Sequence, residues 1–265
     1  MSRIPNAFTE KNAFIAFITA GDPDLKTTEQ LILEMEKAGA DLIELGIPFS
    51  DPVAEGLVIQ KADERALAAG TTTDQIFEMV CDVRKQSQIP LVFLTYINPI
   101  FVYGTERFIK RCRECGIDGL IVPDLPYEER EELLPFCTKY QVDLVPLIAP
   151  TSEERIRMIA KQAQGFLYCV SSMGVTGVRQ NITTDIGGMI SLVREVSEIP
   201  CAIGFGVSTK KQARQMISQA DGVIVGSAIV KLIGQYGKDA AGPVAAYVRE
   251  MKQAILEEKS SLARI

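Results

Sequence analysis

Eight short aliphatic runs, amphipathic segments between them, and polar residues with glycines gathered after the runs predict one parallel (β/α)8 barrel of the TIM type. It is expected to span residues 1–265 as a single domain with extra helices. A doubly wound sheet satisfies the same alternation, because the pattern by itself does not require closure.

The predicted strands are 13–20, 42–49, 90–96, 119–124, 143–149, 166–171, 201–207 and 222–228. Between the first two, segment 27–38 places Leu31, Met35 and Ala38 at helical spacing. Segments 128–140 and 209–220 read the same way, and a short helix, 229–234, follows the last strand. Similar turns recur where a helix gives way to a strand. Ala38-Gly-Ala-Asp41, Cys115-Gly-Ile-Asp118 and Ala220-Asp221 form one set; Ser87-Gln-Ile-Pro90 and Ser197-Glu-Ile-Pro200 form another. They fall at the N-terminal face of a barrel, where polar residues serve stability. Chemistry is expected at the opposite face, after the strands, around 21–23, 48–51, 96–98, Asp124, 174–177, Gly206 and 226–227.

Composition excludes several classes. A net charge of −6 and the absence of any long Lys/Arg run argue against nucleic acid. No apolar run approaches the ~20 residues that span a bilayer, and the N-terminus lacks a signal-peptide pattern. A cytoplasmic protein is the expectation. The six cysteines then read as buried small hydrophobes, and Cys112-Arg-Glu-Cys115 lies in a helical stretch without further metal ligands, so no metal is expected. The chain has no histidine. Acid–base work falls to carboxylates, tyrosine, cysteine, lysine or water.

Glu44 is the leading candidate for that work. It interrupts an apolar strand in which Ile43, Leu45 and Ile47 share one face, while Leu42, Glu44 and Gly46 share the other. If the aliphatic face packs on helices, Glu44 points inward beside a glycine that leaves room. A neighbouring Lys or Arg would make it a structural ion pair instead. Glu55 is a second carboxylate, in a loop with Pro48, Pro52 and Gly56. Gly204-Phe-Gly206 after strand seven and Gly226-Ser227 at the end of strand eight, running into the short helix, suit a phosphate, since glycine lets backbone N–H groups approach an anion and a helix N-terminus favours one. Gly174-Val-Thr-Gly177 opens a long polar segment that reads as a lid, with Thr176 able to hydrogen-bond a carboxylate, or as an ordinary connection.

These residues resemble the tryptophan synthase α subunit family over nearly the whole chain. The resemblance is carried by Phe17-Ile-Thr-Ala-Gly-Asp-Pro23, Glu44-Leu-Gly-Ile-Pro-Phe-Ser-Asp-Pro52, Gly174-Val-Thr-Gly177, Gly204-Phe-Gly206 and Val225-Gly-Ser227. It implies retro-aldol cleavage of indole-3-glycerol phosphate to indole and glyceraldehyde 3-phosphate. Glu44 would be the mobile acid–base group and Glu55 the carboxylate that holds the indole N–H. Thr176 would fasten the closed lid. Gly177, Gly206, Gly226 and Ser227 would bind phosphate, and Phe17, Tyr96 and Tyr168 would line the indole side. It further implies an α2β2 heterotetramer with a β subunit that carries pyridoxal phosphate, no cofactor in this chain, and partner contacts from 48–56 and 98–103.

The sequence departs from the family pattern in three places: Glu55 stands where aspartate is usual, Leu57 where proline is common, and Ser172 where arginine is often found. A regulatory α-type subunit with weak catalysis, or a phosphate-sugar isomerase on the same barrel, are the competing readings. Glu44 with its Pro-Phe-Ser-Asp-Pro loop favours the lyase. A Schiff-base aldolase would want a lysine on an inner strand, and the predicted strands contain none.

Overall fold

The computed structural model describes residues 2–170, 185–204 and 206–262. All eight predicted strands are present, and all but 166–171 end sooner than predicted. They are β1 (Ala13–Thr19), β2 (Leu42–Gly46), β3 (Leu91–Leu94), β4 (Gly119–Ile121), β5 (Asp143–Leu144), β6 (Leu147–Ile148), β7 (Leu167–Val170), β8 (Cys201–Gly204) and β9 (Gly222–Val225). Every pairing is parallel, in the order β5-β4-β3-β2-β1-β9-β8-β7-β6.

The two ends of that row, β5 and β6, are halves of the predicted strand 143–149. Pro146, which has no N–H to donate, separates them. Val145 N still donates to Leu120 O at 2.9 Å on one side, and Tyr168 N donates to Pro146 O at 3.0 Å on the other. The row therefore closes on itself as a barrel.

Period-two alternation sorts the strands. Ile15, Leu42, Val92, Ile121, Tyr168, Ala202 and Ile224 fill the barrel interior. Phe14, Ile43, Leu45, Phe93, Leu120 and Val223 face the helices. The bottom is plugged by the short helix Ile4–Ala7, whose Ile4 joins the interior cluster with Phe8.

Helix Leu25–Lys37 starts where Asp24 accepts from Thr27 N at 2.8 Å, and it buries Leu31, Ile32 and Met35. Helix Lys210–Ile217 opens on a capping box between Thr209 and Gln212. The predicted helix 128–140 is instead a 3-10 turn, Tyr127–Glu132, followed by helix Leu134–Tyr140. Pro135 explains the break: it fits the first turn of a new helix and not the interior of a long one. The helix after β9 runs Ser227–Tyr236, starting earlier than predicted. The C-terminal helix Ala241–Leu262 packs on Leu25–Lys37 and Lys210–Ile217. No helix among the described residues is long and apolar enough to cross a membrane.

The repeated turns make repeated contacts. Asp41 accepts from Phe14 N and Lys252 Nζ, Asp118 from Leu91 N, Arg3 and Arg84, and Asp221 from Cys201 N and Arg194. Ser87 and Ser197 each accept from the backbone N–H two residues on. Cys112 and Cys115 lie on helix Thr105–Cys115, facing the core. Burial pushes the Cys112 thiol well up; the Cys115 thiol, with Cys81 Sγ 2.7 Å away, is pushed up to about 12, again mainly by burial.

Candidate active site at the C-terminal strand ends

Glu44 sits on the inner face of β2, paired in register with Phe17 of β1 and Val92 of β3. Its outward neighbours Ile43 and Leu45 pack on helices, so the strand period forces the carboxyl inward. Glu44 is 1% exposed, and neither carboxyl oxygen has a hydrogen-bond partner among the described residues. No Lys or Arg among them pairs with it, so the ion-pair reading has no support among the described residues. Burial pushes its pKa up to about 8, so the group is a neutral acid near pH 7.

The neighbouring glycine leaves room for another side chain than the one expected. A Cβ on Gly46 would lie 2.7 Å from the Phe17 ring, which occupies that space. The same ring passes 3.3 Å from where a Gly226 Cβ would be, and packs with Ile59, Ala62 and Val230. Phe17 thus spans the gap between the acid's strand and the end of β9. Tyr168 points inward from β7 and lies across Gly204; burial, and then the Glu44 charge, raise its phenol pKa.

Glu55 lies in the loop after β2 and is 7% exposed. Tyr96, at the start of helix Ile97–Tyr103, holds this loop: its hydroxyl accepts from Ala54 N at 3.0 Å and donates to the Glu55 carboxylate. Its ring packs against Phe49 with centroids 5.4 Å apart. Glu55 Oε2 is buried without a partner among the described residues. Burial raises the Glu55 pKa, while hydrogen bonds from Asp63 and Tyr96 oppose the rise.

Asp63 did not figure in the sequence reading. It is buried on helix Leu57–Ala68 and touches Glu55. The signal was present: Ile59, Ala62 and Ala66 form the buried face of this helix, and Asp63 is the carboxylate among them.

The strand ends proposed for phosphate lie together, since β8 and β9 are adjacent. Gly206 has φ +81°, a left-handed conformation that favours glycine. Gly226 precedes helix Ser227–Tyr236, whose N-terminus has no side-chain cap, leaving its first N–H groups for an anion. Gly226 and Ser227 are half-buried. Thr176, Gly177 and Ser172 lie outside the described residues.

Barrels of this class carry their chemistry at the C-terminal ends of the strands, and the buried carboxyl groups that lack a cation collect at that end here. Fold and site define a (β/α)8-barrel enzyme with buried carboxyl groups at its candidate site. Comparison with known proteins narrows the class. The profile of the tryptophan synthase alpha chain family matches residues 6–257. The tryptophan synthase alpha chain of Alkaliphilus metalliredigens is 52% identical over 238 residues, covering 88% of this chain and 90% of that one. The crystal structure of tryptophan synthase subunit alpha from Legionella pneumophila superposes with a TM-score of 0.87 at 36% identity, covering 97% of this chain and 99% of that chain. A structure of the α2β2 tryptophan synthase complex from Pyrococcus furiosus matches with a TM-score of 0.84 at 35% identity, covering 91% of this chain and 97% of that chain. The chain belongs to the tryptophan synthase alpha chain family.

Proposed function

We propose that this chain cleaves indole-3-glycerol phosphate to indole and glyceraldehyde 3-phosphate, as one barrel domain, with Glu44 as acid–base group and Glu55 as partner of the indole nitrogen. The observation that carries the reading is Glu44: a buried carboxyl on the inner barrel wall with both oxygens unpartnered among the described residues. The substrate's C–C bond breaks only once ring carbon C3 is protonated, because the carbon electrons then flow into the ring as the aldehyde forms. A carboxyl group still protonated near pH 7 can supply that proton. As ionised carboxylate it then takes up the proton released by the glycerol hydroxyl. Positive charge appears on the ring nitrogen meanwhile, and the Glu55 carboxylate offsets it in a water-poor site.

Phe17, Tyr96 and Tyr168 supply the apolar walls, and Gly206, Gly226 and Ser227, with Gly177, take the phosphate; Thr176 fastens the lid. Glu55 is longer than the aspartate usual in the family, and its hydrogen bonds to Tyr96 and Asp63 fix where the extra methylene puts the carboxylate.

A β subunit is the partner we propose, in an α2β2 assembly, with pyridoxal phosphate belonging to that subunit. Val53 and Leu57, 71% and 73% exposed, and Phe101 and Val102, 49% and 80% exposed, support a docking face formed by the loop after β2 and the helix after β3. Six free thiols agree with work in the cytoplasm, where thiols stay reduced.

The test is indole release from indole-3-glycerol phosphate by wild type and Glu44→Gln, each with and without the β subunit. Glu44→Gln should lose ~10²–10⁴-fold in kcat. Robust release by Glu44→Gln would sink the mechanism; stimulation of the β reaction with no indole from wild type would make the chain a regulatory subunit.

A further inference from the structure

We infer that Asp63 is a positioning residue for the proposed reaction: it keeps a proton and donates it in a hydrogen bond to Glu55, so that the pair's negative charge rests on Glu55. The inference rests on the functional reading above for its catalytic meaning, but not for the proton itself.

The two carboxyl groups are hydrogen-bonded to one another, with Asp63 4% and Glu55 7% exposed. An ionised carboxylate only accepts, so a hydrogen bond between two of them requires a proton on one. Among the described residues no cation is available to hold both charged. Arg65, on the same helix as Asp63, spends its guanidinium on Asp22, with two bonds of 2.8 Å. Asp22 itself, from the loop after β1, turns a further negative charge toward Asp63. The remaining groups facing Asp63 are the Thr19 hydroxyl at the end of β1 and the Tyr96 phenol from the end of β3.

The surroundings decide which partner keeps the proton. Glu55 receives two donors, the Tyr96 hydroxyl and Asp63, and both favour its ionised form. Asp63 faces two carboxylates, Glu55 and Asp22; burial first, then Glu55, push it up to about 9. Glu55 Oε2, buried and unpartnered among the described residues, is then left for a ligand donor such as a ring N–H. Without Asp63 the same burial would favour a neutral Glu55, which could not offset a cation on the ring.

The experiment is the pH profile of kcat/KM for indole release in the α2β2 complex, for wild type, Asp63→Asn and Asp63→Leu. Asp63→Leu removes the donor, so Glu55 takes up a proton at higher pH and the acid limb moves up by about one unit, roughly tenfold less activity below it. Asp63→Asn keeps a donor in its amide N–H, and its acid limb stays at the wild-type position. An unmoved limb in Asp63→Leu, or an equal shift in both variants, overturns the proposal, since a merely structural residue would change stability alone. The infrared C=O stretch of protonated carboxyl groups gives an answer without turnover. In a Glu44→Gln background at neutral pH, adding Asp63→Asn should remove one such band, and its persistence overturns the shared proton. If wild type releases no indole, the functional reading fails while the infrared measurement still decides on Asp63.

Discussion

Asp118 and Glu44 are buried alike, 2% and 1% exposed, at opposite ends of neighbouring parts of the same barrel. Asp118, at the N-terminal end, accepts from the backbone N–H groups of Arg3 and Leu91 at 2.8 and 3.0 Å and from the guanidinium groups of Arg3 and Arg84 at 3.0 Å each. Glu44, nearer the C-terminal end, accepts from nothing among the described residues. One carboxylate has its charge compensated and is part of the scaffold. The other is kept from its charge, as the acid role proposed for it requires. The difference lies in the surrounding donors and not in residue type or burial, and it sets the stabilising end of the barrel apart from the end proposed for the chemistry.

Removing the bottom carboxylate should break the comparison from the structural side. Asp118→Ala leaves Arg84 without its acidic partner, and Arg84 is already pushed down to about 10 by burial. Unfolding in urea should show a loss of ~3–5 kcal/mol, with kcat/KM of the folded fraction unchanged. A loss below ~1 kcal/mol would mean the network is not holding the scaffold.

Removing the top carboxylate should do the reverse. Glu44 has a folded pKa raised from 4.5 to about 8, so the folded state holds its proton more tightly than the unfolded one. Its stability contribution is full below pH 4.5 and is lost as pH rises from there through 8. Glu44→Gln should therefore be more stable than wild type by ~2–4 kcal/mol at pH ~8.5 and by nothing measurable at pH ~4. Equal stability at both pH values would contradict the buried neutral acid.

The same ionisation sharpens the comparison in kinetics. C3 protonation needs the neutral form, so kcat/KM should fall as pH rises through about 8. A rate flat to pH ~9.5 would take the acid role away from Glu44. The smallest effect belongs to the repeated turns: Ser87→Ala, which loses the bond from Ile89 N, should cost ~1 kcal/mol at every pH.

Much of this contrast was legible in the sequence. Strand periodicity put Glu44 inside once the aliphatic face was taken to pack on helices, and the repeated Asp- and Ser-bearing turns pointed to the scaffold end. Two things were not legible. Asp63 acquires its meaning only because a helix face meets the preceding loop, a closeness that no local period encodes. Tyr96 was expected to line a wall; that its hydroxyl also ties down the Glu55 loop through Ala54 N, a contact across 42 positions of chain, had no local signal. Most strands also end sooner than their apolar runs, whose last residues belong to the loops. Pro135 and Pro146 marked breaks that composition and amphipathic pattern had smoothed over.

Pro146 has one more consequence. Everywhere else around the wall a strand is tied to its neighbours along one continuous segment, whereas here two two-residue pieces share the duty and Leu147 is only half-buried. In an amide hydrogen-exchange experiment this seam should be the first stretch of wall to exchange, ahead of β1 and β2. Tyr168, whose amide bonds across the seam to Pro146 O, would feel each opening. The wall carrying Tyr168 would breathe while the wall carrying Glu44 stays shut.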